Sequence, residues 1–371
     1  MSHHADSATS GDGGSANGLG KSARSRIHEI SGAQVQRLLC KLDAIAPHLP
    51  QLSSLPMQEL TSPGDYTPGE VAAGGKGSAG MGKHVLQESS ILGHLRRIGA
   101  LKDTDRAATT SAIEFGSGTG RLSERLQRCT GHKMRHVLID RQSFAPNQSR
   151  DSAMRNRSTG MGSVERVTGD IADFRLGEYC LDQCLCMSKH LCGPACDLAI
   201  AALGGKEVPY GSGPPFAFAT CCHYLCTWES FAGKDHWIRL GFDEEDFEVA
   251  VAVSQWYSLK GGNGKKKNGN GQNVFTSTSN QNAQKELLAI IDVAGEAVKG
   301  LSEDMLRPSI SSEEFERSFS RKEKAKLGGM VKRLLDLLRI VKLQEFGYAD
   351  AELVLYTTRS IENRLLVGRV V

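Results

Sequence analysis

The run Ile113-Glu114-Phe115-Gly116-Ser117-Gly118-Thr119-Gly120-Arg121-Leu122 constrains this chain more than any other stretch. Ala112 and Ile113 read as the end of a buried strand. Three glycines at alternate positions then turn the backbone sharply, and Arg121 to Leu126 opens a helix. Glycine is needed where a Cβ would block close approach of the backbone to a ligand. The helix N-terminus that follows offers unpaired N–H groups to polar or anionic ligand atoms. Val137-Leu138-Ile139-Asp140 reads as a second strand. Its closing carboxylate stands where a doubly wound sheet grips a ribose diol.

The glycine spacing separates two cofactor classes. A dinucleotide fold shows G-x-G-x-x-G, whereas Glu114-x-Gly116-x-Gly118-x-Gly120 is the glycine pattern of S-adenosylmethionine (AdoMet) methyltransferases. A glycine-rich loop without a ligand is the bland alternative, and Asp140 weighs against it. The expected cofactor-binding residues are therefore Glu114, Phe115, Gly116, Ser117, Gly118, Gly120, Asp140 and Arg141. Asp170, at the end of a third strand, is placed to bond an adenine amine, with Ile171 as an apolar wall; a helix cap or turn is the competing role for Asp170.

Read in order, residues 1–26 are low-complexity and predicted disordered. A helical cap is expected over 27–101, with a helix over 33–49, a flexible Pro/Gly-rich insertion over 61–82 and an amphipathic helix over 84–101. The domain over 102–371 alternates strands and helices, which implies a mostly parallel sheet covered on both faces. Residues 145–163 read as a surface loop, and 260–282 as a Gly/Asn/Lys insertion that cannot bury a core. The closing strands are predicted at 342–346 and 352–357, after a helical stretch over 313–341 that Gly328-Gly329 interrupts. A C-terminal strand pair after five βα units is the arrangement of class I AdoMet-dependent methyltransferases: Rossmann-like, seven strands, mostly parallel, with an antiparallel C-terminal strand.

Two strand exits carry the remaining chemistry. Met187-Ser188-Lys189-His190-Leu191-Cys192-Gly193 lies where the fourth strand delivers side chains to the carboxyl edge, the ligand-binding edge of such sheets. Lys189 and His190 are candidates to orient or deprotonate a nucleophile, against the alternative of a solvated turn. Cys221-Cys222-His223-Tyr224-Leu225-Cys226 closes the fifth strand and raises the question of zinc. Structural zinc usually takes two paired ligand clusters, and this run supplies one, with Cys192 available across the sheet edge. No metal is expected, and substrate pocket or packing is preferred.

These motifs together resemble the tRNA ribose 2′-O-methyltransferases that modify the fourth nucleotide of the acceptor stem. The resemblance rests on Glu114–Gly120, Asp140-Arg141, Ser188–Gly193 with Asp197, and Cys221-Cys222-His223-x-x-Cys226-x-Trp228. Lys332–Asp336 with Arg339, and Ser360–Leu366, are similar too. It implies AdoMet as methyl donor and tRNA as substrate. A ribose hydroxyl is a poor nucleophile and requires a base, for which His190 and His223 are the candidates, and a cation near its oxygen, for which Lys189 and Arg339 are. Members commonly carry a second His and a basic residue where Tyr224 and Leu225 stand, Asp at Thr227 and Gly at Leu338. They often carry small zinc modules ahead of the catalytic domain; with no cysteine before Cys40, none is expected here.

With 45 basic and 42 acidic residues, an RNA site must be a local patch rather than a bulk charge. The helical stretch 320–339 holds seven basic and two acidic residues, expected on the face opposite its apolar positions, with Lys265-Lys266-Lys267 adding attraction. Clustered cysteines suit a reducing compartment, and no run spans a bilayer. The chain is expected to be soluble, in cytoplasm or nucleus, without an obligate protein partner. The competing functions are a related methyltransferase acting on another RNA or on protein, and a non-catalytic RNA-binding protein on this fold.

Overall fold

The chain enters through α1 (Gly32–Ile45), whose start is fixed locally: Ser31 accepts from the Gln34 N–H while Gln34 reaches back to the Ser31 N–H. Val35, Leu38, Leu42 and Ile45 recur at helical spacing, and all four are buried. The computed structural model describes residues 30–72, 79–101, 110–131, 133–159, 162–179, 181–259, 281–306 and 319–370. The expected disordered tail and all but the last two residues of the expected insertion over 260–282 lie outside the described residues.

Two helices follow, α2 (Pro68–Ala72) and α3 (Ala79–Arg97). Then come β1 (Ser111–Phe115), α4 (Arg121–Cys129), β2 (Arg135–Asp140), α5 (Asp151–Arg157) and β3 (Ser163–Thr168). The second half supplies β4 (Cys184–Cys192), α6 (Pro194–Leu203), β5 (Phe216–Cys221), α7 (Lys234–Arg239) and α8 (Glu244–Val253). It closes with α9 (Gln281–Lys299), α10 (Glu303–Leu306), α11 (Arg321–Glu345), β6 (Glu352–Leu355) and β7 (Arg364–Gly368).

The strands form one seven-stranded sheet in the order β3-β2-β1-β4-β5-β7-β6. The first five are parallel, and β7 runs antiparallel to both β5 and β6. Successive residues of β1 supply opposite faces, as a pleated strand requires. Ile113 and Phe115 pack with Val137, Phe218 and the apolar side of α6, whereas Ala112 packs with Met187, Ala219 and helices α3 and α4. A third core joins α1, α8, α9 and α11. The residues of the expected N-terminal cap thus serve two places, α1 in this helical layer and α3 on the sheet.

Four expectations need correction. Within 61–82, Pro63–Asp65 forms a 3-10 turn and α2 follows it. Asp65 holds this segment in place, since its carboxylate takes a two-pronged bond from Arg96 at 2.6 and 2.8 Å and is 2% exposed. Within the expected loop over 145–163 lies α5, tied down by Gln127, which donates to the Met154 carbonyl at 2.9 Å. Gly328-Gly329 does not break α11; a Cβ at Gly328 would stand 2.6 Å from the Tyr257 nitrogen, so glycine there admits the neighbouring turn. Finally, 342–346 finishes α11 rather than forming a strand, and β7 at Arg364–Gly368 takes the closing place beside β5.

His94 of α3 gives this fold a pH signature. It is fully buried, with Nε2 2.8 Å from the Gln58 carbonyl, and burial holds its imidazolium at about 4 against an ordinary 6.5. Between those values the unfolded chain takes up a proton that the folded chain refuses, so stability is lost as pH falls through this window. The expected slope is roughly 1.4 kcal/mol per pH unit for that proton. Urea unfolding at several pH values checks it: His94→Asn should lower the slope by about that amount, with the share of other lowered imidazoles such as His223 remaining, and an unchanged slope would exclude His94 as a source.

Candidate active site

β1 ends at the carboxyl edge of the sheet, and its last two side chains part company. Phe115 turns into the core, edge-on to Phe174 and Phe218 at 5.7 and 5.9 Å between centroids. Glu114 turns the other way, where its Oε2 accepts from the Ser123 N–H at 3.0 Å and from the Ser123 hydroxyl. Burial pushes the Glu114 carboxyl up to about 7, against the Ser123 bonds that favour its ionised form. The loop then runs through left-handed backbone at Gly116, Gly118 and Gly120, with φ of 61°, 52° and 83°. A Cβ at Gly118 would meet no protein atom within 4 Å, so the space beside it is open to a ligand. One at Gly120 would lie 2.7 Å from Leu138, so that glycine serves packing.

Two side chains hold the loop. Asp140 accepts from the Gly118 N–H at 2.7 Å and from the Gln142 N–H at 2.9 Å. Arg166 donates to the Gly118 carbonyl at 2.9 Å while its other prongs bond Asp151 at 2.6 and 2.8 Å. Sequence reasoning passed over Arg166; its signal was a basic residue inside a strand.

A cavity of about 300 Å³ opens between this loop and the exit of β4. Glu114, Gly116, Ser117, Gly118, Thr119, Arg121 and Leu122 form one wall, and His84, Lys189 and His190 the other. Lys189 is 9% exposed and its Nζ donates to Glu88 of α3 at 2.6 Å. Burial opposes both charges and is the largest influence at Glu88, yet Lys189, Arg121 and Arg125 together outweigh it and leave that carboxyl below its ordinary value. At Lys189 burial prevails, and its ammonium sits below the usual lysine range. Glu88 also accepts from Arg125 Nε at 3.1 Å, which makes it a hub that the sequence concealed within a helix. His190 keeps an edge open to solvent. Partial loss of solvent and the adjoining Lys189 nonetheless push its imidazolium down to about 4. The His84 ring stands edge-on to it at 6.4 Å, and burial lowers His84 as well. The cavity therefore presents a neutral imidazole beside a held ammonium, a pairing suited to taking a proton and steadying an oxyanion.

The profile of one protein family, methyltransferase TRM13, matches residues 86–369, a span holding every element from the middle of α3 to β7. The chain belongs to the TRM13 family. Among curated relatives, a "tRNA:m(4)X modification enzyme TRM13 homolog" of Dictyostelium discoideum is 26% identical over 296 residues, covering 77% of this chain and 52% of that protein. The Schizosaccharomyces pombe "tRNA:m(4)X modification enzyme TRM13" is 25% identical over 300 residues, covering 77% and 67%. A human homologue is 25% identical over 333 residues, covering 77% and 64%. The chain thus spans about half to two-thirds of the length of these relatives.

The remaining candidate residues of this TRM13 chain lie outside the cavity wall. Arg141 and Asp170 pair with each other at 3.2 Å, linking the exits of β2 and β3. Asp170 also caps the turn Ile171–Asp173 by accepting from the Ala172 N–H at 3.0 Å, and Ile171 is buried in the core. His223 and Arg339, expected beside the reacting hydroxyl, are instead enclosed at 0% and 1% exposure. Asp336 gathers them: it accepts from His223 Nε2 at 2.8 Å, Arg339 Nη1 at 2.9 Å, Arg364 Nε at 3.1 Å and Thr220 at 3.0 Å. Arg339 also grips Asp197 at 2.6 and 2.9 Å and donates to Cys226 Sγ at 3.1 Å. These residues tie α6, β5, α11 and β7 together, a positioning role behind the cavity.

The basic stretch over 320–339 needs a similar correction. Arg321, Lys322 and Lys326 are exposed and Lys324 lies over the Trp256 ring. Lys332 is buried against Glu362, Arg333 donates to the Leu52 carbonyl at 2.6 Å, and Arg339 is enclosed. Within 320–339 the exposed charge lies on the first turns of α11, because most of the helix beyond them is buried. Lys265-Lys266-Lys267 falls outside the described residues.

Proposed function

We propose that this chain transfers a methyl group from AdoMet to a ribose 2′-hydroxyl of tRNA, at the fourth nucleotide of the acceptor stem, on a class I methyltransferase fold. The observation that carries the reading is the meeting of the glycine loop and the Lys189–His190 pair on one cavity. The printed names of the relatives, tRNA:m(4)X modification enzymes, support the substrate. The strand order and the antiparallel β7 support the fold class. Such an enzyme works where tRNA is found, in cytoplasm or nucleus.

The residues present fit AdoMet. Gly118 leaves a cradle that a Cβ would fill, Asp140 fixes the loop beside it, and Glu114 and Ser117 line the same wall. Bound there, AdoMet supplies an electrophilic methyl on a sulfonium. A ribose hydroxyl is a poor nucleophile at neutral pH and needs a proton acceptor and a cation near its oxygen. His190 is neutral above about pH 4 and accepts that proton on a ring nitrogen. RNA phosphate arriving nearby adds negative charge that raises His190 toward the operating pH. Lys189, held by Glu88, steadies the oxygen as its proton leaves. Transfer to the oxygen would break the sulfonium S–CH3 bond and leave a neutral thioether, while His190 would pass the hydroxyl proton to solvent.

Gly118→Val tests the cofactor placement. A branched side chain would occupy the open space of the loop and adopt left-handed backbone poorly. Equilibrium dialysis with labelled AdoMet and NAD should show AdoMet, not NAD, bound by the parent. The variant should lose AdoMet while keeping its circular dichroism. Normal AdoMet binding by the folded variant would place the cofactor elsewhere.

A further inference from the structure

Three thiols with no part in this chemistry converge beyond the cavity. Cys192 ends β4, Cys221 ends β5, and the two stand opposite each other in the parallel ladder. Their sulfurs are 2.8 Å apart. Cys222 comes next, and an extended strand would send its side chain to the face opposite Cys221. The backbone prevents this. Cys222 has φ of 27°, the only positive value at a non-glycine position among the described residues. Strain of this kind persists where the surroundings enforce it, and it gathers at functional sites. The result is that one sulfur from each of Cys192, Cys221 and Cys222 lies within 4.8 Å of the other two.

We propose that Cys192, Cys221 and Cys222 bind one zinc ion as three thiolates, leaving a fourth position to solvent. Zinc–sulfur bonds of about 2.3 Å in tetrahedral array put the sulfurs roughly 3.8 Å apart. The cluster is already near that size, and the closest pair need open by only about 1 Å. Thiolates favour soft or borderline ions such as zinc over magnesium or calcium. Cys192 and Cys222 are half-buried and Cys221 buried, which leaves an entry path and a solvent-facing fourth position. Each thiol proton displaced by the ion passes to solvent, and nothing is oxidised or reduced. The other two members of the expected zinc run are committed elsewhere, His223 to Asp336 and Cys226 to Arg339. The ion would clamp the exits of β4 and β5 together directly after Lys189 and His190, and the proposal does not rest on the methyl-transfer reading.

The test uses the full chain expressed with zinc and purified under reducing conditions. Elemental analysis should give about one zinc per chain, and cobalt replacement a thiolate-to-cobalt charge-transfer band with tetrahedral character. Cys192→Ser and Cys222→Ser should each lose the stoichiometric metal, and the control Cys40→Ser should keep it. A variant-free measurement guards against misfolding: alkylation read by peptide mass spectrometry should show Cys192, Cys221 and Cys222 protected by zinc and exposed after chelation. Substoichiometric zinc without a cobalt–thiolate band overturns the proposal. So does zinc retained by both folded variants, protection of other cysteines instead, or a Cys192–Cys221 disulfide in the reduced, zinc-supplied protein.

Discussion

His190→Ala should slow single-turnover methylation of tRNA by about 10²–10⁴-fold, the usual cost of losing a positioned base. The affinity for AdoMet should stay at the parental value, because the proposal assigns the cofactor to the glycine loop and the acceptor to the His190 edge of the cavity. Its neutral imidazole is placed to take a proton, while in the same wall Glu114 is engaged by Ser123, Lys189 by Glu88 and the His84 ring by Gln87. Lys189→Met should act on the same step, and it should also disturb Glu88, which would keep only its arginine partners. A parental single-turnover rate in both variants, with tRNA saturating, would remove Lys189 and His190 from the reaction and make the motif a structural strand exit.

Asp336→Ala should cost about 3–5 kcal/mol of stability, the range for breaking a buried charge network from one side. Four donors from β5, the turn after it, α11 and β7 end on this one carboxylate, which is fully buried. Among the described residues, its removal leaves Glu362 as the carboxylate paired with the buried Arg364 guanidinium and Asp197 as the carboxylate paired with Arg339. His223 already lacks a partner at Nδ1 among the described residues and would then lack one at Nε2. Urea unfolding of the parent and variant measures the difference. A loss below about 1 kcal/mol would mean that solvent or relaxation replaces the network at little cost, as at a surface pair.

What the sequence revealed and what it concealed follow from the range of the interactions involved. Elements set by local chemistry were legible. The glycine loop, the helix opening at Arg121 and the strand ending at Asp140 depend on a few adjacent residues, and the structure places all three there. A mostly parallel sheet followed from the alternation of strands and helices, whereas the order β3-β2-β1-β4-β5-β7-β6 was not read from the sequence. Elements set by distant partners were not legible. The stretch 342–346 reads as a strand in sequence, but α11 continues to Glu345 because Leu338 and Val341 meet one core and Ile340 and Leu343 another, each pair at a helical spacing of three. The basic residues of α11 look solvated in sequence, and Lys332 and Arg339 turn inward because Glu362 and Asp197 await them. Sequence likewise joined His223 to Lys189–His190 as candidates, since both follow strand exits. Only the fold shows that one exit faces the cavity and the other the buried Asp336. Glu88 gave no signal at all, because its partner Lys189 lies 101 residues away.

Ribose-methylation mapping tests the central claim most directly. Unmodified tRNA is incubated with the purified chain and AdoMet, and each 2′-O-methyl group is located by nuclease digestion and mass spectrometry. The account predicts one new 2′-O-methyl, on the fourth nucleotide of the acceptor stem, absent without AdoMet and strongly reduced with His190→Ala. Methylation of a base, of another ribose position or of no nucleotide, by a chain that binds AdoMet and is folded, would contradict it.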